Sequence, residues 1–215
     1  MSLVLEGLSI SLHGAKFIAP FSMEIEGGEI VTLMGPSGTG KSTILQAIAG
    51  GLAAPFALSG SIYVNGVDVS RTDVAKRRIG RLFQDDLLFP HLTVGENLLF
   101  GMARGPREQR LALMRAALSD IELAGTEHRA PHTLSGGQRQ RVALMRSLLA
   151  GPDAMLLDEP FSKLDEALRA SMRELTFMNL AKRNTPTLLV THDKADAPKG
   201  GRIFEIKNGE VIYVR

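Results

Sequence analysis

The stretch "EIVTLMGPSGTGKSTILQAIAG", residues 29–50, decides the fold. "EIVTLMG" reads as a buried strand, and "KSTILQAIAG" carries its apolar positions at helical spacing. Between them Gly35-Pro36-Ser37-Gly38-Thr39-Gly40-Lys41-Ser42, with Thr43 following, satisfies the phosphate-loop pattern in the strand–loop–helix setting the motif needs. Glycines let successive backbone N–H groups turn toward one anion without side-chain clash, and the helix adds its positive end. Lys41 is placed to reach the β- and γ-phosphates, and the Ser42 hydroxyl to ligate Mg²⁺. A nucleoside triphosphate and Mg²⁺ are the expected ligands.

Outward from this loop, "LVLEGLSISL", "FSMEIEGGE", "GSIYVNG" and "RIGRLFQ" read as strands, with further strands at 154–159, 186–191 and in "RIFEIKNGEVIYVR". Asn208-Gly209 between two apolar runs is a short-hairpin signal. From about 93 to 150 the pattern is helical throughout. The fold class expected is therefore α/β: a P-loop NTPase (RecA-like) core with an antiparallel β edge and an inserted α-helical lobe. Its expected boundaries are a core over about 1–88 and 151–215 and a helical subdomain over about 89–150, with no C-terminal regulatory domain.

At 215 residues and 44 % hydrophobic, the chain can bury a full core. A net charge of +2 is too mild to indicate nucleic acid, and zero cysteines fits a reducing compartment. "MSLVLEGLSISL" lacks the basic start and continuous apolar run of a signal peptide, so a cytoplasmic protein is expected. Residues 42–67 carry no formal charge, but Gln46, Gly50, Gly51, Pro55, Gly60, Asn65 and Gly66 break the segment into helix, turn and strand. A membrane span needs about 20 mostly apolar residues in one helix.

"AMLLDEP" places Asp158 and Glu159 at the end of an apolar strand. Consecutive strand side chains face opposite ways, so the two acids need different tasks. Asp158 would complete the Mg²⁺ shell, and Glu159 would act as general base on the attacking water. A second glycine turn, "LSGGQRQR" at 134–141, opens another helix, with Ser135 as N-cap. From local physics alone this is either a second anion cradle or an ordinary capped helix.

The set "GPSGTGKST", "LFQ" at 82–84, "LSGGQRQR", "MLLDEP" at 155–160, "SKLD" at 162–165 and "VTHD" at 190–193 resembles the ATP-binding subunits of ABC transporters, in that family's order and over nearly the whole chain. The resemblance implies two copies sandwiching two ATP molecules head to tail. Ser135, Gly136, Gly137 and Gln138 then contact the γ-phosphate bound by the other copy. Gln84 approaches Mg²⁺ and the attacking water, His192 hydrogen-bonds the γ-phosphate and orients Glu159, and Asp165 lies at the seam. One copy alone is expected to bind ATP but hydrolyse it poorly.

"DDLLFPHLTVGENL" after Gln84 resembles ATPases of bacterial binding-protein-dependent importers. It implies permease subunits docking near residues 84–91, with Leu87, Leu88 and Phe89 exposed there, and an extracytoplasmic solute-binding protein. The protein is then peripheral on the inner face of the cell membrane. The family's aromatic residue near positions 12–13 is replaced by Leu12-His13, with Phe17 nearby, and leaves the adenine platform open. An ATPase of an exporter or a lipid- or lipoprotein-extraction system, or a non-transport ABC ATPase, are the alternatives. A signalling GTPase fails because Asn-Lys-x-Asp is absent.

Overall fold

The N-terminal strands β1 (Ser2–Leu12) and β2 (Ala15–Glu26) form one long hairpin. His13 and Gly14 turn it with φ of 50° and 80°, the left-handed pair that suits the twist of a tight hairpin. β1 alternates buried Leu3, Leu5, Leu8 and Ile10 with less buried neighbours, as a one-sided sheet requires. The structure, a computed structural model, describes residues 1–83 and 85–215.

β3 (Ile30–Met34), buried along its whole length, is followed by the glycine loop and α1 (Lys41–Ala49). β4 (Phe56–Val64) and β5 (Val67–Asp68) then complete an antiparallel sheet in the order β2-β1-β4-β5. After β6 (Ile79–Leu82) the chain becomes helical, with α2 (Val94–Gly101), α3 (Arg107–Asp120) and α4 (Gly136–Leu149). It then returns through β7 (Ala154–Asp158), α5 (Glu166–Lys182), β8 (Thr187–Val190), β9 (Ile203–Lys207) and β10 (Glu210–Tyr213). The second sheet runs β10-β9-β3-β8-β7-β6. β3, β7, β8 and β9 are parallel and β10 closes the edge as a hairpin through Asn208-Gly209. The fold class is mixed α/β, as expected.

The chain divides into two compact units. The first comprises Met1–Arg81, Pro152–Glu159 and Leu180–Arg215, and its core joins inward residues of both sheets to Ile44, Leu45 and Ile48 of α1. Arg77, 5 % exposed, ties this core down. Its guanidinium donates to the carbonyls of Thr72, Ile48 and Ser70, each at 2.8 Å, and so satisfies the C-terminal end of α1. Burial holds its pKa below the ordinary arginine value, partly offset by Asp68. Arg77→Met leaves these buried acceptors unpaired, and we expect a loss of about 3 kcal/mol in urea unfolding.

The second unit comprises Leu82–Gly151 and Pro160–Asn179. α2 begins with a reciprocal cap between Thr93 and Glu96. The segment between α3 and α4 is not α-helical, although the apolar pattern suggests helix throughout 93–150. Glu122 and Gly125 take left-handed φ of 57° and 78°, and Pro131 opens a single 3₁₀ turn. α5 is absent from the pattern read above because its buried face mixes Met172 and Leu180 with a polar residue, Thr176. The Thr176 hydroxyl is satisfied within the helix by the Met172 carbonyl at 2.6 Å. Among the described residues no helix is long and apolar enough to cross a membrane.

Candidate functional site

Three parallel strands deliver the site in the first unit. Leu33 of β3 and Asp158 of β7 both register with Val190 of β8. The loop after β3, the acid pair at the end of β7 and His192 after β8 therefore emerge at one carboxyl edge, where open α/β sheets bind ligands.

The glycine loop has the backbone that its sequence demands. Gly35, Gly38 and Gly40 have φ of 151°, 81° and 101°. At Gly40 a Cβ would also lie 2.8 Å from the Phe17 ring, so any side chain there is excluded by both strain and space. Thr39 Oγ1 donates to the Pro36 carbonyl at 2.9 Å and closes the loop on itself. Lys41, 8 % exposed, curls its ammonium over the loop and donates to the carbonyls of Gly35 at 2.7 Å and Pro36 at 2.9 Å. Pro36, Ser37, Gly38 and Ser42 are exposed, while Thr43 is half-buried.

The Ser42 hydroxyl donates to Asp158 Oδ1 at 3.1 Å across 116 positions of sequence. Two oxygen ligands of the kind Mg²⁺ prefers are thus brought together, and the residues fit the ion. Among the described residues there is no cluster of three or more histidines or carboxylates that could hold a metal unaided, so phosphate oxygens would have to supply the remaining ligands. Arg81, which the sequence reading passed over, also approaches Asp158, with a guanidinium nitrogen 3.8 Å from Oδ2. Its signal was a lone charge in the otherwise apolar strand "IGRL".

Glu159 leaves the strand with φ of 49°, a strained conformation for a non-glycine residue and one that functional sites retain. Its backbone N–H is held by the Val190 carbonyl at 3.0 Å. Both carboxylate oxygens lie 2.9 Å from His192 Nδ1. A carboxylate only accepts, so in this pair Nδ1 is the donor. The backbone around His192 is held by its neighbours: Thr191 Oγ1 donates to Asp196 at 2.9 Å and accepts from the Asp193 N–H at 3.1 Å. A single 3₁₀ turn, Lys194–Asp196, comes directly after this segment.

The second glycine turn lies in the second unit. Ser135 caps α4, accepting from the Gln138 N–H at 3.2 Å, and the Gln138 side chain accepts from the Ser135 N–H at 2.9 Å. No acidic residue occupies the first turn, so the positive helix end is uncompensated there. A Cβ on Gly136 would meet nothing within 4 Å, whereas one on Gly137 would lie 3.4 Å from the Lys163 carbonyl. Val142, Met145 and Leu148 are buried and Leu149 is half-buried. Asp165 accepts from the Leu168 N–H at 3.0 Å and so caps α5. Gln84 lies outside the described residues.

In the segment 85–91 the exposed set is narrower than the sequence reading held. Leu87 is 53 % exposed, but Leu88 is buried at 8 % and Phe89 is half-buried. Asn97 explains the difference. It accepts from the Phe89 N–H at 2.8 Å and donates to the Phe89 carbonyl at 3.1 Å, which pulls the loop against α2. Phe100, 67 % exposed, packs edge-on against Phe89 with centroids 4.7 Å apart.

A family model described as ABC transporter matches residues 18–162. The chain is 42 % identical to the ABC transporter ATP-binding protein YnjD of Escherichia coli over 212 residues, covering 98 % of each. It is 39 % identical to the sulfate/thiosulfate import ATP-binding protein CysA of Halalkalibacterium halodurans, covering all of this chain and 61 % of that one. Identity to the Fe(3+) ions import ATP-binding protein FbpC of Pasteurella multocida is 41 %, covering 91 % and 56 %. The chain thus spans nearly all of YnjD but under two thirds of these import proteins. Among solved structures, a dimeric post-hydrolysis state of the ATP-binding cassette MJ0796, bound to ADP and Pi, superposes with a TM-score of 0.82. Its sequence identity is 32 %, with 98 % and 96 % of the two chains covered.

Proposed function

The chain belongs to the ABC transporter family of ATP-binding proteins, and from that premise we propose that it is the ATP-hydrolysing motor of a bacterial small-solute importer, acting as a head-to-tail pair. The observation that carries this reading is the contact of His192 with both oxygens of Glu159 at 2.9 Å, beside the phosphate loop. A protein that merely bound nucleotide would need no such oriented base.

In this reading Gly35–Thr43 wrap the phosphates with backbone N–H groups, and Lys41 exchanges its loop carbonyls for phosphate oxygens. Ser42 and Asp158, with Gln84, hold Mg²⁺, which when bound neutralises charge on the β- and γ-phosphates. Glu159 takes the proton of the attacking water, and His192 keeps that carboxylate aimed while its Nε2 meets the γ-phosphate. Ser135, Gly136, Gly137 and Gln138 serve the ATP held by the other copy, where a positive helix end acts as a group supplied in trans. Asp165 stands at the seam between the copies. Leu87 and Phe100 offer apolar contact for permease subunits near residues 84–91. An extracytoplasmic solute-binding protein delivers the solute, and the motor works in the cytoplasm, peripheral on the inner face of the membrane. The relatives named for sulfate and iron import support this direction of transport. Steady-state ATPase assays over a range of protein concentrations test the pairing. Specific activity is expected to rise with concentration and plateau, and a flat profile down to dilutions where only single chains exist overturns it.

The adenine platform falls to Phe17. Its ring lies against Gly40 and stacks at a tilt on Phe56, with centroids 5.4 Å apart. The β9–β10 hairpin pins it, since a Cβ on Gly209 would lie 2.7 Å from the Phe17 carbonyl. His13 instead occupies the exposed tip of the first hairpin. Phe17→Ala is expected to weaken ATP binding about tenfold in calorimetry, while His13→Ala changes it less than twofold.

A further inference from the structure

Arg81 has no part in the scheme above, yet it is one of the least exposed charges near the site. Its side chain is 11 % exposed, that of Asp158 is 7 % exposed, and 3.8 Å separates guanidinium nitrogen and Oδ2. Arg81 belongs to β6, the strand next to β7 in the sheet order, so its side chain reaches Asp158 from the neighbouring strand. Asp158 is therefore held from two directions, by the Ser42 hydroxyl on Oδ1 and by a fixed cation toward Oδ2. At 3.8 Å, however, the contact lies beyond hydrogen-bond range, so this guanidinium nitrogen leaves the lone pairs of Oδ2 available to a ligand.

We propose that Arg81 is a positioning residue that stands in for the metal's charge at Asp158 and thereby sets how much divalent cation the site requires. With the guanidinium present, Asp158 already has a cation beside it and is aimed at Ser42 before any metal arrives. A divalent ion must then share one carboxylate with an existing cation, so the protein alone binds it poorly. The phosphates of the nucleotide tip the balance by adding negative charge, and metal and nucleotide enter together. This rests on Asp158 being the magnesium acid.

The test is titration of Mn²⁺, read by paramagnetic resonance, into the full chain with and without ADP. Removing one cation several ångströms from a divalent ion is worth on the order of tenfold in affinity in a partly shielded site. Arg81→Gln and Arg81→Met are therefore expected to bind Mn²⁺ about tenfold more tightly than the parent, most clearly without nucleotide. Arg81→Lys, which keeps the charge, stays close to the parent, and adding Asp158→Asn to Arg81→Gln abolishes the gain. Unchanged Mn²⁺ affinity in the folded neutral variants overturns the proposal. Should both be folded but destabilised without metal, Mn²⁺ is expected to raise their melting temperatures more than the parent's, and equal shifts overturn it. ATP binding by the parent is measured alongside. If it is intact while the neutral variants match the parent, the role of Arg81 fails alone, whereas a parent that does not bind ATP removes the motor reading itself.

Discussion

A Glu159→Gln protein is expected to bind ATP with the affinity of the parent and to hydrolyse it about a thousandfold more slowly. The amide has the shape of the carboxylate and still accepts from His192, so the strained turn at φ 49° and the 2.9 Å contact need not change. Only the capacity to take a proton from water is lost. Bound ATP then persists, and if ATP stabilises the proposed pair, the variant is expected to accumulate as a dimer. Gel filtration with ATP and Mg²⁺, together with single-turnover hydrolysis, reads both consequences. Turnover within a few-fold of the parent removes Glu159 from the role of base and points to another residue.

Ser135→Arg is expected to spare ATP binding and lower hydrolysis by two to three orders of magnitude, the range over which a charge-stabilising group supplied in trans acts. Loss of the cap accounts for only about 1 kcal/mol of helix stability, so a folded protein is expected. The decisive form of the experiment mixes two defective chains. Lys41→Ala cannot hold its own phosphates but keeps Ser135, and Ser135→Arg keeps its phosphate loop. A mixed pair contains one undamaged centre, built from the phosphate loop of one chain and the glycine turn of the other. Activity well above that of either chain alone is therefore expected on mixing. Mixtures no more active than their components would falsify the trans arrangement.

Most of the candidate site was legible in the order of residues alone. The phosphate loop, the acid pair, the glycine turn of α4 and His192 are short motifs whose residue types follow from the ligand: glycines where backbone must approach an anion, a carboxylate for a cation, a serine to cap a helix. Local physics was enough for Ser135 as the cap of α4 and for glycines where the phosphate loop turns. The helix α5 was less legible because Thr176 interrupts its apolar face, and the segment between α3 and α4 because apolar spacing continues where Glu122 and Gly125 turn the backbone.

What the chain's order determined by itself is which candidate groups the site has to offer a nucleotide. Which groups touch one another was decided only by folding. Ser42 meets Asp158 across 116 positions and Glu159 meets His192 across 33, because parallel pairing of β3, β8 and β7 aligns three carboxyl ends that the sequence keeps far apart. The approach of Arg81 to Asp158, the burial of Leu88 by Asn97's grip on Phe89, and the lodging of Phe17 against Gly40 have the same origin. Each depends on a partner chosen by sheet order or loop path, and no local periodicity encodes a partner at that distance.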